Sequence, residues 1–205
     1  MRNNRDLKRQ ALKDRLIAAA EALIHENGLR GLKARDITAK AGCALGALYN
    51  AVEDLDELVT LVNSRSLARL GQALHDAVPA HATPQQTMHA LAQGYVQFAL
   101  DNTNLWSAIF NHRPANGAEI PEWHQQEYAV LIQEIIIPLS QMRPDLASDP
   151  LRLRAQTLFA SVHGVVQLSI HGRYVGTPPD ALADEVAALV DAMTRGIHLI
   201  QANEG

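Results

Sequence analysis

The 205-residue chain contains little cysteine, few aromatic residues and no long uninterrupted apolar run. Its single cysteine, Cys43, cannot form an internal disulfide and offers no cysteine cluster for a metal. The most apolar segment is interrupted by Arg152, Arg154, His163 and Gln167, so we expect no membrane span. The charged N-terminus lacks the apolar core of a secretory signal. We therefore expect a cytoplasmic protein that needs neither a cofactor nor a metal.

Alternating apolar and polar residues, which indicate half-buried strands, are scarce as well. Apolar residues make up 47% of the chain, and most long segments place them three and four residues apart. This spacing is typical of amphipathic helices and predicts an all-α protein. At this length the chain can bury a substantial core in one large domain or two small ones.

The charge is unevenly distributed along the chain. Residues 1–42 contain ten Lys and Arg against five Asp and Glu, or +5, so a total of −4 leaves −9 for the remainder. A basic region on an acidic body favours phosphate binding, although charged helix ends produce similar imbalances. The cations between Arg2 and Arg15 fit either a flexible arm against DNA or an ordinary solvated tail.

The segment from Ile37 to Asn50 predicts two short helices joined by a sharp turn at Gly42. Its apolar residues fall at helical spacings, namely Ile37, Ala41, Leu45 and Leu48. We expect the small residues Ala41 and Gly42 to let the two helices cross closely. This arrangement is a helix-turn-helix, whose second helix can lie in a DNA major groove.

The clearest break in the chain is the proline-containing segment 79–84, which follows a predicted fourth helix over residues 55–77. We place a domain boundary there. Farther along, a seventh helix should begin near Pro121 and stop at Pro138.

Two apolar helices at the C-terminus could pair with their copies as a four-helix bundle across a two-fold axis. We favour this dimer over the alternative that both helices fill the core of a single chain. The predicted interface consists of a mostly small-residue stripe and the apolar face of the last helix: Ala160, Gly164, Leu168, Gly172, Val186, Leu189, Met193 and Ile197.

The segment from Arg35 to Asn50, followed by Asp56-Glu57-Leu58, resembles the DNA-binding domain of TetR-family transcriptional regulators. The most specific matches are Ala41-Gly42 and Gly46-x-Leu48-Tyr49, and the resemblance covers residues 12–61. The remaining body is consistent in length and order, with nine helices in all. Ser161-Val162-His163-Gly164 is similar to a subgroup that carries Trp-His-Gly there, with Val162 in place of the tryptophan.

The resemblance implies a TetR-like fold, with a DNA-binding domain over residues 1–55, the fourth helix as connector, and an effector-binding and dimerisation domain over residues 78–205. It implies a homodimeric repressor, not an enzyme, whose heads bind a palindromic operator on double-stranded DNA until a small-molecule effector releases them. The DNA-binding residues that it implies are Arg35, Thr38, Ala44, Leu45, Gly46, Ala47, Tyr49 and Asn50.

The sequence departs from the family pattern around the recognition helix. Lys33 occupies the usual Ser or Thr cap of the second helix, and Leu45 and Val52 stand where polar and aromatic residues are common. Leu55 likewise replaces a frequent lysine. Few side chains here can make bidentate base contacts, so we expect sparse direct readout, with a larger contribution from DNA shape.

Effector-pocket candidates combine apolar surface with a polar group or flank a loop. They are Tyr95, Trp106, Phe110, Trp123, Tyr128, His163 and Gln167. Each could instead be an ordinary core residue, and the buried pair His163 and Gln167 could bond to each other instead of to a ligand.

Two alternatives from other functional classes stay open at this stage. One is a helical enzyme or ligand carrier with an incidental helix-turn-helix, although no nucleophile–base or paired-carboxylate motif is recognisable. The other is a regulator that acts only through protein partners. The nine histidines form no Glu-x-x-His pair of the helical di-iron type, so we expect no metal site.

Overall fold

The computed structural model describes residues 4–114, 117, 119–172 and 175–199, with side chains described as far as residue 194. Within these residues all regular secondary structure is helical, and there is no strand. A 3₁₀ turn over Leu29–Gly31 follows the first helix. The α-helices are α1 (Asn4–Asn27), α2 (Ala34–Ala41), α3 (Leu45–Ala51), α4 (Leu55–Ala77), α5 (Pro84–Asp101), α6 (Thr103–Asn111), α7 (Glu122–Met142), α8 (Ser148–Ile170) and α9 (Leu182–Leu199). The predicted all-α fold is confirmed.

The predicted end of the seventh helix at Pro138 is wrong, because α7 continues to Met142. Proline lacks an amide hydrogen, so the carbonyl of Glu134 loses its usual helical partner at this point. Leu131 and Leu139, on either side of the proline, are both buried. Their packing maintains the helix despite the missing hydrogen bond.

The N-terminal cations belong to a helix. Because α1 begins at Asn4, Arg5, Lys8 and Arg9 are helical residues, and a flexible arm is wrong for these three. Arg2 lies outside the described residues.

The chain divides into two compact units. Unit 1 consists of Met1–Arg69 and Asn102–Glu127, and unit 2 of Leu70–Asp101 and Tyr128–Gly205. A single boundary near residue 78 therefore does not describe the packing, because α6 belongs with the N-terminal helices. The division into DNA-binding and effector-binding parts stays a prediction.

The core of unit 1 joins α1, α2, α3 and α4 to α6. Its most buried members include Leu16, Ile24, Ile37, Leu48 and Leu58, and α6 contributes Leu105 and Ala108. Each such side chain contributes about 1.5–3 kcal/mol through removal from water. Two asparagines bridge the helices: Asn63 Nδ2 donates to the Ala108 carbonyl at 3.1 Å, and Asn104 Nδ2 to the His25 carbonyl at 2.8 Å.

The turn after α2 depends on the backbone of Gly42. This residue adopts φ 66° and ψ 44°, the left-handed region that favours glycine. The Cys43 amide donates to the Thr38 carbonyl at 3.0 Å and thereby satisfies the helix end. An added Cβ at Gly42 would meet nothing within 4 Å. The expectation that glycine serves close helix crossing is therefore wrong, because its backbone conformation is what requires it.

Unit 2 contains α5, α8 and α9 with the last part of α4 and most of α7. Gly94 allows α5 to approach α4, because an added Cβ would lie 3.0 Å from the Ala77 Cβ. His89 Nε2 lies 2.7 Å from Asp191 Oδ1 and connects α5 to α9. None of the described helices combines the length and apolar character needed to cross a membrane.

Candidate nucleic-acid interface and effector cavity

The short helix α3 is anchored on one side and open on the other. Leu48 and Ala51 are buried in the core of unit 1. The opposite side is exposed and includes Leu45, 40% exposed, and Tyr49, 51% exposed. Ala44, Gly46 and Asn50 are exposed too, and Ala47 is half-buried. These residues are therefore accessible to a DNA groove, and their contacts with DNA stay a prediction.

Thr38 does not share this surface. It is 4% exposed, and its hydroxyl lies 3.0 Å from the carbonyls of both Ala34 and Arg35, its acceptors within α2. The expectation that Thr38 contacts DNA is wrong, because the side chain packs inward. Arg35 is exposed and remains a candidate. Lys33 is the N-cap of α2 and makes no side-chain capping bond, as its substitution for Ser or Thr implies.

The cations of unit 1 fall into two groups. Four are held in ion pairs: Lys13 with Glu57, Lys40 with Glu26, Arg65 with Asp14, and Arg69 with Glu21. The others have no ion pair among the described residues and are exposed: Arg5, Lys8, Arg9, Arg15, Arg30, Lys33, Arg35 and Arg113. The second group is the positive charge that unit 1 has available for phosphates.

A surface groove places part of this charge beside α3. It is lined by the first turns of α1 and the last residue of α3, that is by Asp6, Leu7, Arg9, Gln10, Lys13 and Ala51. Arg9 thus lies near the C-terminal end of α3, although it was not among the DNA-binding residues predicted from the sequence. The sequence signal for this contact was the basic cluster Arg5, Lys8 and Arg9. The sequence did not show that these residues belong to a helix.

The start of α4 is fixed to α1 by a network around Glu57. Asp54 Oδ1 accepts a hydrogen bond from the Glu57 amide at 2.7 Å and caps α4. Lys13 Nζ lies 2.9 Å from Glu57 Oε1, and the other carboxylate oxygen accepts from the Glu53 amide. Burial raises the pKa of Glu57, but the hydrogen bonds from Glu53 and Lys13 and the charges of Lys13 and Arg9 bring it below its ordinary value.

A second polar cluster in unit 1 connects α4 with residues 112–127. His112 Nε2 lies 3.6 Å from Asp56 Oδ1. Glu127 accepts a hydrogen bond from Ser64 at 2.6 Å and lies 2.8 Å from His124 Nδ1. Burial lowers the pKa of His112, and Asp56 partly offsets this effect. No described group of three or more metal-binding side chains is arranged to hold a metal ion.

Unit 2 contains a mostly apolar cavity with about 430 Å³ of empty space, counting its open mouth. Its lining comes from α4, α5, α7 and α8: Leu74, Met88, Leu91, Ala92, Tyr95, Leu131, Glu134, Ile135, Leu158, Phe159 and Val162. Only Tyr95 and Glu134 add polar side chains to this wall. The residue types match those of a small-molecule site.

Tyr95 is held by neighbouring rings. Its hydroxyl lies 2.7 Å from His163 Nδ1, and its ring meets Phe159 edge-on at 5.6 Å between centroids. Phe159 in turn stacks on His163. Burial lowers the pKa of His163, so the imidazole is neutral at pH 7. A neutral ring has one donor and one acceptor nitrogen, and either tautomer can bond to the Tyr95 hydroxyl.

The seven predicted effector residues are divided between the two units. Tyr95 lines the cavity and His163 bonds to it, while Tyr128 and Gln167 belong to unit 2 without lining that cavity. Trp106, Phe110 and Trp123 belong to unit 1. There Trp106 is fully buried and packs against Phe110, with ring centroids 5.5 Å apart. Trp106 and Phe110, on α6, and Trp123, on α7, do not line the cavity, and an effector role for these three stays a prediction.

Glu134 was not among the site residues predicted from the sequence. In the structure it shares the cavity wall with Leu131 and Ile135, three residues before it and one after. The signal was a carboxylate on the apolar face of a predicted helix, between Leu131 and Ile135. A charged residue at such a position indicates either a buried partner or a ligand.

The predicted dimer residues separate by exposure. On α8, Ala160 and Leu168 are exposed, and an added Cβ at Gly164 would meet nothing within 4 Å. Gly172 lies beyond the end of α8 with φ 60°, so it does not extend the stripe. Val186 is fully buried within unit 2 and cannot face a partner. The predicted places of Gly172 and Val186 in the dimer interface are therefore wrong.

On α9, Leu189 and Met193 are half-buried and remain candidates for the dimer contact. The side chain of Ile197 lies outside the described residues.

Comparison with known proteins places this fold in a family. Residues 88–193, slightly more than half of the chain, match the family described as "Tetracyclin repressor-like, C-terminal domain". No curated protein matches the chain.

Similar solved structures share the fold. A protein of unknown function from Rhodococcus sp. RHA1 is 25% identical, with a TM-score of 0.71 over 90% of this chain and 94% of that one. RolR in complex with resorcinol is 20% identical, with a TM-score of 0.67 over 93% and 89%. A putative TetR-family regulator from Shewanella sp. PV-4 is 17% identical, with a TM-score of 0.66 over 90% and 97%.

A helix-turn-helix near the N-terminus, followed in the described residues by further helices that surround an apolar cavity, is the arrangement of a one-component regulator. The chain belongs to the TetR family of transcriptional regulators. Members of this family are regulators and generally not enzymes; they bind DNA and small molecules and act as dimers.

Proposed function

We propose that this chain is a homodimeric repressor whose α3 helices bind the two halves of a palindromic operator. A small molecule in the cavity of unit 2 releases the DNA. The observation that carries the proposal is the exposed face of α3 beside cations that have no ion pair among the described residues. A cytoplasmic location follows from this role and stays a prediction.

DNA recognition would rest on a small number of polar contacts. Tyr49 and Asn50 provide the hydrogen-bonding groups on the exposed side of α3, and Arg35 adds a charge from α2. Arg9 provides a phosphate contact near the end of α3. Ala44 and Ala47 offer methyl groups for contact with thymine. With one amide on the recognition helix, selectivity should depend strongly on DNA shape.

The exposed stripe on α8 supports the dimer. Leu153, Thr157, Ala160, Gly164 and Leu168 lie on one side of the helix, and Leu153 and Leu168 are large exposed apolar residues. Small residues at 160 and 164 permit a second helix to approach closely. Pairing of this stripe with its copy would remove apolar surface from water and provide two heads for one palindrome.

The cavity supports effector binding. It lies within unit 2, and its walls are hydrocarbon with two polar groups, as is typical of sites for small organic molecules. RolR, which shares the fold, binds resorcinol. In this chain an occupant would act by favouring a conformation with weaker operator affinity, and its effect cannot exceed its own preference for that conformation.

Gel shift with DNA from upstream of the chain's own gene tests the proposal. We expect one retarded species with two protomers per duplex, formed on an intact palindrome and lost when one half-site is scrambled. Retention of that species on the scrambled duplex would contradict operator recognition. A complex with one protomer per duplex would contradict the dimer.

A further inference from the structure

We infer that the cavity of unit 2 binds a small organic cation, an apolar molecule that carries a protonated amine. This inference rests on the proposed function, because it names the chemical class of effector for the same cavity. The geometry that carries it is a single carboxylate, Glu134, placed in a hydrocarbon wall beside two aromatic rings.

Glu134 is available to a ligand. The structure gives its carboxylate no hydrogen bond and no ion pair among the described residues, although the side chain is half-buried and lines the cavity. An ionised carboxylate only accepts hydrogen bonds. When a ligand displaces water from it, the carboxylate loses hydration that only a donor on the ligand can replace. The ligand must therefore bring a donor to this position.

A charged donor fits better than a neutral one. Hydrogen bonds between an ammonium and a carboxylate are shorter and stronger than neutral ones, and an apolar wall strengthens the attraction. No Lys or Arg lines the cavity, so an anionic ligand would meet repulsion from Glu134 without compensation.

The aromatic part of the wall favours the same class. Tyr95 and Phe159 both line the cavity, and their rings meet edge to face. Ring faces attract cations, and ring surfaces accept the apolar body of a ligand. The bond to His163 and the stacking of Phe159 on that histidine fix the positions of both rings. The site is thus pre-arranged for a cation with an apolar body.

Three near-isosteric probes distinguish the ligand classes: phenethylamine as the cation, phenethyl alcohol as the neutral donor and phenylacetate as the anion. Isothermal titration of the full-length chain at pH 7 measures each affinity. We expect the amine to bind about tenfold or more tightly than the alcohol, the difference typical of a charge-assisted hydrogen bond, and phenylacetate not to bind.

Two variants locate the contact. Glu134→Gln keeps the size of the side chain, and we expect it to weaken amine binding about tenfold while alcohol affinity changes less than about twofold. Glu185→Gln removes the same charge from an exposed position on α9 and should leave both affinities unchanged. Thermal unfolding of each variant reports whether the fold is kept.

The inference is overturned if the alcohol or phenylacetate binds as tightly as the amine, if Glu134→Gln leaves amine affinity unchanged, or if none of the three probes binds. The proposed function is tested separately by adding amine to the operator complex. If the amine binds through Glu134 but operator affinity stays the same, release by this cavity is wrong and the ligand class stands. If the amine does not bind but an uncharged molecule releases the operator, release by an effector stands and the ligand class is wrong.

Discussion

Tyr49 is the residue on which a contact between α3 and DNA can be tested most cleanly. Half of its surface is open to solvent, and its neighbour Leu48 carries the packing of α3. We expect Tyr49→Ala to weaken operator binding by about 1 kcal/mol, the loss of a typical hydrogen bond, without lowering stability. Fluorescence polarisation with labelled operator measures the change.

Tyr49→Phe is the matched control for that experiment because it removes the hydroxyl and keeps the ring. If the hydroxyl bonds to a phosphate, both variants should lose similar affinity. If Tyr49→Phe binds like the parent chain, the ring alone makes the contact. Full affinity in both variants would remove Tyr49 from the interface.

His163 makes stability depend on pH. Burial lowers its pKa below the ordinary 6.5, so the unfolded chain takes up a proton before the folded chain does. Unfolding therefore becomes easier as the pH falls through about 6.5 toward the lowered folded value, and this contribution is constant above about pH 7.5. One titrating group can change the free energy of unfolding by at most about 1.4 kcal/mol per pH unit.

Urea unfolding at pH 7.5, 6.5 and 5.5 tests this sign. We expect His163→Gln to be less sensitive to acid than the parent chain across this range. His112 remains in both proteins and its pKa is lowered too, so part of the dependence should persist. Identical pH dependence in the two proteins would show that His163 does not titrate differently on folding.

At the scale of elements, Gly42 and Gly46 form a matched pair in the helix-turn-helix. Gly42 has φ 66°, whereas Gly46 is a residue of α3. A Cβ added at either position would lie more than 4 Å from any neighbouring atom. We expect Gly42→Ala to cost about 1–2 kcal/mol, because its backbone is left-handed. Gly46→Ala should stabilise by up to about 1 kcal/mol through helix propensity. Thermal or urea unfolding compares them, and equal stabilities would refute the backbone argument.

The α8 stripe can be tested without disturbing the single chain. Because an added Cβ at Gly164 meets nothing within 4 Å, Gly164→Trp should fold and yet block the approach of a second helix. We expect light scattering to show monomers for this variant and dimers for Arg152→Trp, an exposed position off the stripe. A dimer mass for Gly164→Trp would place the interface elsewhere.

Most helices could be predicted from the sequence, because their signals are local. The turn at Gly42 and the extent of α4 both follow from local signals, namely the glycine, the apolar spacing and the proline-containing segment 79–84. The end of α7 could not be predicted from Pro138, because tertiary packing keeps the helix intact through a residue that usually ends helices. The burial of Thr38 could not be predicted either, because the direction in which a small polar side chain points depends on its neighbours in space.

The effector cavity was less predictable because its wall combines residues from four helices. Spacing along one helix identified Tyr95 and His163 as polar groups on apolar faces. It could not show that Trp106 packs with the N-terminal helices, since the assignment of α6 to unit 1 is decided by long-range contacts. The sequence shows Glu134 as a charged residue on an apolar helix face. That its side chain lines a cavity could be seen only in the structure.

At the scale of the whole molecule, charge and cavity lie in different units. Unit 1 includes the basic N-terminal segment, with +5 over residues 1–42, and the cations that have no ion pair among its described residues. Unit 2 includes the apolar cavity and the α8 stripe. A regulator of this family requires both functions in one chain, and α4 and α7 each contribute residues to both units.

The most direct test of the central claim is a polarisation titration of the upstream operator and a scrambled duplex across a range of salt concentrations. We predict at least about a thousandfold preference for the operator, as is typical of specific DNA binding, and affinity that falls linearly with log salt. Equal affinity for the two duplexes, or affinity independent of salt, would contradict a DNA-binding regulator that reads its operator through α3.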